Sequence, residues 1–167
     1  MDSTRLAAAD PDQRLRVVLV QPEIPPNTGS IARLCAATAT PLHLIRPLGF
    51  SLDDRYLKRA GLDYWPHVDL HVHESWAAFR AAERPTVLVG FSARATRSYL
   101  EAPLAGAGPL HLVFGGETRG LPDEIRAELV DRLYVIPLLT PHVRSLNLSN
   151  AVSIVAYEAL RRRGAIG

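Results

Sequence analysis

Short apolar runs alternate with amphipathic segments along almost the whole chain. Runs such as Leu15–Val20 are rich in β-branched and aliphatic residues, which is typical of buried strands. Between these runs lie segments whose apolar residues recur at helical spacing, and the last of them ends in three arginines, which suit a helix C-terminus. The pattern predicts strands at residues 15–20, 42–45, 68–72, 86–91, 110–114 and 134–136, and helices at 27–39, 53–60, after Glu74–Ser75, from Pro122 and at 149–163.

This alternation predicts an α/β protein with a largely parallel sheet flanked by helices. A chain of 167 residues fits one domain, so we expect a single domain over residues 15–167, preceded by a disordered N-terminal tail at 1–14. Ligands of such sheets bind beyond the carboxyl ends of the strands. The loops that follow the strands are therefore where we expect the chemistry.

Composition excludes several classes of protein. With 47% hydrophobic and 22% charged residues, the chain is not an intrinsically disordered protein. It has no apolar run near the roughly 18 residues that a bilayer requires, and the first 14 residues lack the features of a secretory signal. We expect a cytoplasmic protein without membrane association. Lys58 is the only lysine among 19 basic residues, and arginine suits phosphate recognition, although a coding bias explains it equally well.

The cysteine and histidine content argues against disulfides and metals. Cys35 is the only cysteine, so an internal disulfide and a cysteine metal cluster are excluded, and its neighbours predict a small hydrophobe inside a helix. His67, His71 and His73 lie close together, but no carboxylate stands at a familiar ligand spacing. We interpret them as surface histidines of a strand and predict no metal.

The loop after the first strand, Gln21–Ser30, is rich in proline and leads into a helix. Asn27 is suited to cap that helix, and Arg33 follows less than two turns later, so that both side chains are expected to face one cleft. An ordinary capped helix with a solvated arginine is the alternative.

A second loop, Val113–Pro122, follows a strand and contains three glycines. Gly115 and Gly116 allow close approach of a backbone to a ligand, and Gly120 permits a turn with positive φ. The spacing G-G-x-x-x-G and the missing lysine disfavour both a dinucleotide fingerprint and a P-loop. A tight turn without a ligand is the alternative.

A third loop, Ile136–Asn150, carries four hydroxyl or amide side chains within six residues. One helix cap does not need so many, so a nucleoside partner is an alternative use for them. No G-x-S-x-G elbow surrounds Ser145, which argues against a serine hydrolase.

Together the three loops resemble the SPOUT superfamily of S-adenosylmethionine-dependent RNA 2′-O-ribose methyltransferases. Pro-Glu-Ile-Pro-Pro-Asn-Thr-Gly with Arg33 is similar to its first motif, Phe-Gly-Gly-Glu-Thr-Arg-Gly-Leu-Pro to its second, and Ile136-Pro with Ser145-Leu-Asn-Leu-Ser-Asn to its third. The resemblance extends from Leu15 to Arg163. Residues 22–29 and 59–64 are most similar to the minimal tRNA (cytidine/uridine) wobble-position 2′-O-methyltransferases.

The resemblance implies a parallel α/β sheet with a C-terminal deep trefoil knot, a homodimer with an active site completed across subunits, and S-adenosylmethionine as methyl donor without a metal. Gly116 stands where the superfamily often has proline, and the connection at 140–143 is one residue longer than usual. By position, the residues implied to bind the cofactor are Phe91, Gly115, Gly116, Glu117, Gly120, Ile136, Leu138, Ser145, Leu146 and Asn147.

The resemblance also implies catalytic roles for Arg33, Asn27 and Glu117. An arginine stays protonated at neutral pH, so we expect Arg33 to stabilise the negative charge that develops on the ribose 2′-oxygen. Asn27 would orient Arg33 or the ribose, and Glu117 would hold an arginine or the amine of the cofactor. The implied partner is the anticodon loop of tRNA, and the basic residues that flank the loops are Arg55, Lys58, Arg59, Arg94, Arg97 and Arg144.

Other functions stay open at this point. The same chemistry on another tRNA or rRNA ribose requires no change in the motifs. A non-catalytic RNA-binding or cofactor-sensing protein of the same fold would bind the cofactor without transferring a methyl group. A nucleotide-dependent oxidoreductase is disfavoured by the glycine spacing.

Overall fold

The computed structural model describes residues 14–55, 57, 59 and 64–167. The predicted N-terminal tail lies outside the described residues except for Arg14. The predicted helix at 53–60 lies partly outside them, as does Lys58 among the candidate RNA contacts.

Six parallel strands form one sheet, as the sequence predicts. Its order is β3-β2-β1-β5-β4-β6, and each pair of neighbours is parallel. Because all strands run the same way, their carboxyl ends lie along one edge of the sheet. The strands are β1 (Leu15–Val20), β2 (Leu42–Ile45), β3 (Leu70–His73), β4 (Leu88–Phe91), β5 (Leu110–Gly115) and β6 (Leu133–Tyr134).

Four α-helices are described beside the sheet. Ser75 caps the second of them by accepting a hydrogen bond from the Ala78 N–H, as the sequence predicts. Pro122 is the N-cap of the third rather than its first residue. The helices are α1 (Pro25–Ala37), α2 (Trp76–Glu83), α3 (Asp123–Glu128) and α4 (Leu148–Arg162), and the 3₁₀ turns are Trp65–His67, Tyr99–Glu101 and Val130–Arg132.

The helices cover both faces of the sheet. Alternate residues of a strand point to opposite faces, so the largely apolar β1 supplies both cores. Val17 and Leu19 belong to a core with Ile31 of α1 and Val155 of α4. Val18 and Val20 face the other way and pack in a second core, which Phe79 of α2 and Ile125 of α3 complete. The result is a three-layer α/β/α arrangement.

The connection from β6 to α4 runs back along the carboxyl edge of the sheet. β6 is an edge strand, whereas α4 packs against α1 and the central strand β1. Residues 135–147 must therefore pass the ends of β4 and β5.

Within the part of the chain that the structure describes, none of the helices has the length and apolar character of a membrane span.

Candidate functional site

Three polar side chains from the three sequence motifs meet at the carboxyl edge of the sheet. β1 and β5 are neighbours, with Val20 paired to Gly115, so the loops that follow these two strands start side by side. Glu117 stands in one of them and Asn27 at the start of α1 beyond the other. Asn147, which precedes α4, completes the group.

Glu117 holds the start of α1. Its carboxylate accepts hydrogen bonds from the N–H groups of Glu23 (2.7 Å) and Ile24 (3.1 Å), and from Asn27 Nδ2 (3.3 Å). The negative charge also suits a helix N-terminus. Among the described residues, no arginine is paired with Glu117, and its carboxylate holds the start of α1.

Asn27 does not cap α1, which corrects the expectation from the sequence. The helix begins two residues earlier, at Pro25, and its N-cap Ile24 has no side-chain hydrogen bond. Glu117 satisfies the N–H of Ile24 instead, from a position 93 residues away. This frees the Asn27 side chain to connect neighbouring groups.

Asn27 and Asn147 join the two helix starts. Asn147 Nδ2 donates to Asn27 Oδ1 at 3.0 Å, while Asn147 Oδ1 accepts from the N–H groups of Ser149 (2.9 Å) and Asn150 (3.3 Å). Asn147 is thus the N-cap of α4. The resulting relay, Glu117–Asn27–Asn147, ties the loop after β5 to both α1 and α4.

The glycines after β5 allow the backbone to turn back on itself. A side chain on Gly115 would lie 2.1 Å from the carbonyl carbon of Gly120, and one on Gly116 would lie 2.6 Å from the carbonyl oxygen of Gln21. Gly120 has φ +67° and donates its N–H to the Gly116 oxygen at 2.9 Å. The three glycines therefore pack the loop tightly against the end of β1.

The segment from Ile136 to Leu146 presents backbone, hydroxyl and apolar groups along the sheet edge. Ile136, Leu138 and Leu146 are half-buried, Ser145 is exposed, and Leu139 is 99% exposed. Phe91 ends β4 beneath this segment and stacks on Phe114, with their ring centroids 5.0 Å apart.

These residues fit the cofactor that the sequence implies. The adenine ring of S-adenosylmethionine suits apolar contacts such as those that isoleucine and leucine side chains provide. The ribose and the methionine part of the cofactor need hydrogen-bond donors and acceptors, such as backbone groups and Ser145.

Of the three predicted catalytic residues, Arg33 is the one that lies outside the relay. It is exposed on α1, and its guanidinium carbon lies 4.7 Å from the centroid of the Tyr64 ring. Six residues of helix separate it from Asn27, about 9 Å along the axis. The structure therefore does not join Arg33 to Asn27 or Glu117 within one chain. Local spacing could not indicate the Tyr64 contact, because Tyr64 is far from Arg33 along the chain.

The predictions for the cysteine and the histidines have different outcomes. Cys35 is buried in α1, where burial raises the pKa of its thiol, and it packs in the core as predicted. His73, in contrast, is not a surface histidine, because it is 9% exposed and its Nε2 lies 3.0 Å from Nδ1 of His43 on the neighbouring strand. Parallel pairing between strands 30 residues apart created this contact, which spacing along the chain could not indicate.

Known proteins are similar to this chain over about nine tenths of its length. A curated relative from Saccharophagus degradans, named tRNA (cytidine(34)-2'-O)-methyltransferase, is 49% identical over 152 residues, which are 90% of this chain and 97% of the relative. A solved structure described as giving insights into the 2-OH methylation of C/U34 on tRNA is 52% identical, covers 90% of this chain and 96% of that one, and has a TM-score of 0.82.

A more distant structure carries the cofactor. The SpoU methyltransferase AviRb from Streptomyces viridochromogenes, in complex with AdoMet, is 28% identical, covers 92% of this chain and 62% of that one, and has a TM-score of 0.75. The model of the SpoU rRNA Methylase family matches residues 14–157, which include β1 to β6 and two thirds of α4. The chain therefore belongs to the SpoU rRNA Methylase family.

Proposed function

We propose that the protein transfers a methyl group from S-adenosylmethionine to the ribose 2′-hydroxyl of nucleotide 34, the wobble cytidine or uridine of tRNA. The observation that carries the proposal is the relay Glu117–Asn27–Asn147, which brings all three motifs to one edge of the sheet. Relatives at 47–49% identity named tRNA (cytidine(34)-2'-O)-methyltransferase support the same substrate. Such a reaction takes place in the cytoplasm, where tRNA is found.

Arg33 is the catalytic residue of this proposal. The methyl donor supplies a methyl group on a positively charged sulfur. The ribose hydroxyl must lose its proton to solvent as its oxygen attacks the methyl carbon, and the neutral thioether would leave with the electron pair of the broken carbon–sulfur bond. A guanidinium nearby would stabilise the negative charge that the departing proton leaves on the oxygen before the new bond is complete. The exposed position of Arg33 on α1 leaves its guanidinium accessible to RNA.

The cofactor lies, in this proposal, between the ends of β4 and β5 and the segment Ile136–Leu146. Phe91, Ile136, Leu138 and Leu146 supply apolar contacts, and Ser145 with neighbouring backbone groups supplies hydrogen bonds. Glu117 and Asn147 position this segment through the relay. The trefoil knot belongs to the proposal as well, and it is supported by the passage of residues 135–147 back across the sheet edge.

We further propose a homodimer that completes the active site. Arg33 and the relay lie apart in one chain, so a second subunit is needed to bring an arginine to the cofactor. α4 supports this idea, because Ile154 and Tyr157 are 37% and 46% exposed, and a spacing of three residues places them on one helix face.

The test is a methyl-transfer assay on total tRNA from a strain that lacks the gene. Purified protein and labelled S-adenosylmethionine are added, and the modified nucleosides are located by digestion and mass spectrometry. We expect label in 2′-O-methylcytidine or 2′-O-methyluridine from position 34. The Arg33→Ala variant should lose about 100-fold or more of the rate, the usual cost of removing a group that stabilises a developing oxyanion.

Arg132→Ala is the matched control. Arg132 is also exposed, but it precedes β6 and therefore lies at the opposite edge of the sheet. Its loss should leave the rate unchanged. Cofactor binding without methyl transfer to tRNA would contradict the proposed function, as would label in rRNA alone.

A further inference from the structure

A second group of chemically active side chains lies on the other face of the sheet. His43 of β2, His73 at the end of β3 and Glu83 at the end of α2 each place one possible ligand atom close to those of the other two. β2 pairs with β3 so that Ile45 lies opposite His73, and paired residues point to the same face of the sheet. His43 is two residues before Ile45 on β2 and points the same way, so His43 and His73 share a face. Their Nδ1 and Nε2 atoms are 3.0 Å apart, and Glu83 Oε1 is 3.9 Å from His43 Nδ1.

The distances match the spacing of ligands around one metal ion. Histidine nitrogens and carboxylate oxygens bind zinc at about 2.0–2.2 Å, so two ligands of a tetrahedral ion lie about 3.3 Å apart. The separations of 3.0 and 3.9 Å lie on either side of that value. All three donor atoms lie within 4.8 Å of one another. Small side-chain adjustments are enough to enclose an ion.

The two histidine donor atoms are hydrogen-bonded to each other. His43 Nδ1 and His73 Nε2 lie 3.0 Å apart, so that one ring nitrogen donates a proton to the other. A ligating nitrogen carries no proton, so an ion between the rings would replace this hydrogen bond, and its proton would move to the other nitrogen of that ring or to solvent.

The rings are also fixed before any ion arrives. His43 is 1% exposed and stacks on His71, with centroids 4.6 Å apart. Phe79 of α2 contacts the rings of His43 and His73 edge-on, at 5.8 and 5.3 Å. Little side-chain entropy is therefore lost on binding. The Glu83 side chain is 24% exposed, which gives water access as a fourth ligand.

We propose that His43 Nδ1, His73 Nε2 and the Glu83 carboxylate bind one zinc ion, or a similar first-row divalent cation. Two imidazoles and one carboxylate are a donor set that zinc accepts and that calcium and magnesium, which require oxygen ligands, do not. The ion connects β2, β3 and the end of α2. Since α1 and α4 lie on the opposite face, the ion takes no part in the methylation site. Its role is to stabilise the fold.

The test is zinc binding by the full-length protein after removal of metals with EDTA. Isothermal titration with ZnCl₂ should saturate at about one ion per chain. Zinc should raise the melting temperature, because a ligand that binds only the folded state stabilises it. MgCl₂ at the same concentration should have no effect. Cobalt(II) should show the visible absorption of a tetrahedral site.

Two variants decide whether these residues are the ligands. Glu83→Gln, at a partly exposed position, and His73→Asn should each weaken zinc binding by more than about 10-fold, since even an outer partner of a ligand costs 10- to 100-fold. His67→Asn and Glu124→Gln are controls at exposed sites outside the cluster and should bind as the native chain does. The proposal would be overturned if zinc did not raise the melting temperature of the native protein. It would also be overturned if Glu83→Gln and His73→Asn bound zinc as tightly as the native protein does. All readouts are independent of methyl transfer.

Discussion

At the scale of single residues, the site depends on the carboxylate of Glu117, which positions Asn27 and, through it, Asn147. Glu117 accepts three hydrogen bonds from the beginning of α1. Asn27 donates one of these hydrogen bonds, and its Oδ1 accepts another from Asn147 Nδ2 at 3.0 Å. Each polar group of the relay satisfies another, so the loss of one member leaves a donor or acceptor without its partner.

Glu117→Gln is expected to lower the free energy of unfolding by about 1–3 kcal/mol. A glutamine has one acceptor oxygen where the native side chain has two. Its NH₂ must therefore face either the Glu23 N–H, or both the Ile24 N–H and Asn27 Nδ2, and all of these groups are donors. Chemical denaturation at neutral pH measures the change. Glu124→Gln, at an exposed position on α3, should stay within about 0.5 kcal/mol of the native protein. Equal stability of the two variants would contradict the assigned role.

Asn147 caps α4 and also donates a hydrogen bond to Asn27, and two different substitutions separate these roles. Asn147→Ala removes the cap of α4 and should cost about 1 kcal/mol. Asn147→Ser restores a good cap, so its stability should recover. The serine side chain is too short to reach Asn27, however, and methyl transfer should stay impaired. Full activity in the serine variant would show that the link to Asn27 is unnecessary.

The identity of these residues was available from the sequence, but their connections were not. Glu117 and Asn27 were predicted as site residues, and both are in the relay. The bond between them spans 90 positions of the chain and depends on β1 and β5 being neighbours. Helical spacing likewise could not indicate that Arg33 would lie against Tyr64.

At the scale of elements, local pattern predicted the strands and helices well and their ends less well. β1 and β2 have the predicted bounds, because each is a largely apolar run that ends at a turn. α1 begins two residues before the predicted start, since a carboxylate from another loop caps it. β6 contains two residues rather than three, because Val135 forms only an isolated bridge to Ser98. Element ends depend on tertiary contacts that a local window does not contain.

The C-terminal end of α4 is fixed by a charged cluster that gives a pH-dependent prediction. Arg161 and Arg162 donate to Glu158 at 2.8–3.0 Å, and Arg162 also donates to the carbonyl oxygens of Leu100 and Ala102. These hydrogen bonds lower the pKa of Glu158 to about 2. The cluster thereby ties α4 to the 3₁₀ turn that follows β4.

Glu158→Gln should lower the melting temperature at pH 7, and the difference from the native protein should shrink on acidification. A carboxyl with a lowered pKa stabilises the fold above its unfolded value of 4.5, and this contribution is lost as the pH falls from 4.5 towards about 2. Melting curves over that range measure it. A difference that stays constant with pH would contradict the assignment.

At the scale of the whole molecule, the proposed dimer makes a prediction about α4. Ile154→Asp places a charge on the exposed apolar face of this helix and should shift the protein towards monomer in sedimentation equilibrium, with loss of methyl transfer. Val130→Asp is the control, because Val130 is 62% exposed but lies in the 3₁₀ turn after α3. A fully active Ile154→Asp monomer would contradict a site shared between subunits.

The central claim concerns one hydroxyl group, and one measurement tests it most directly. Two forms of the same tRNA are compared as substrates, one with ribose and one with 2′-deoxyribose at nucleotide 34. With labelled S-adenosylmethionine, we expect the protein to label the first and leave the second unlabelled, although both bind. Equal labelling of the two tRNAs would place the methyl group elsewhere and contradict the proposed function.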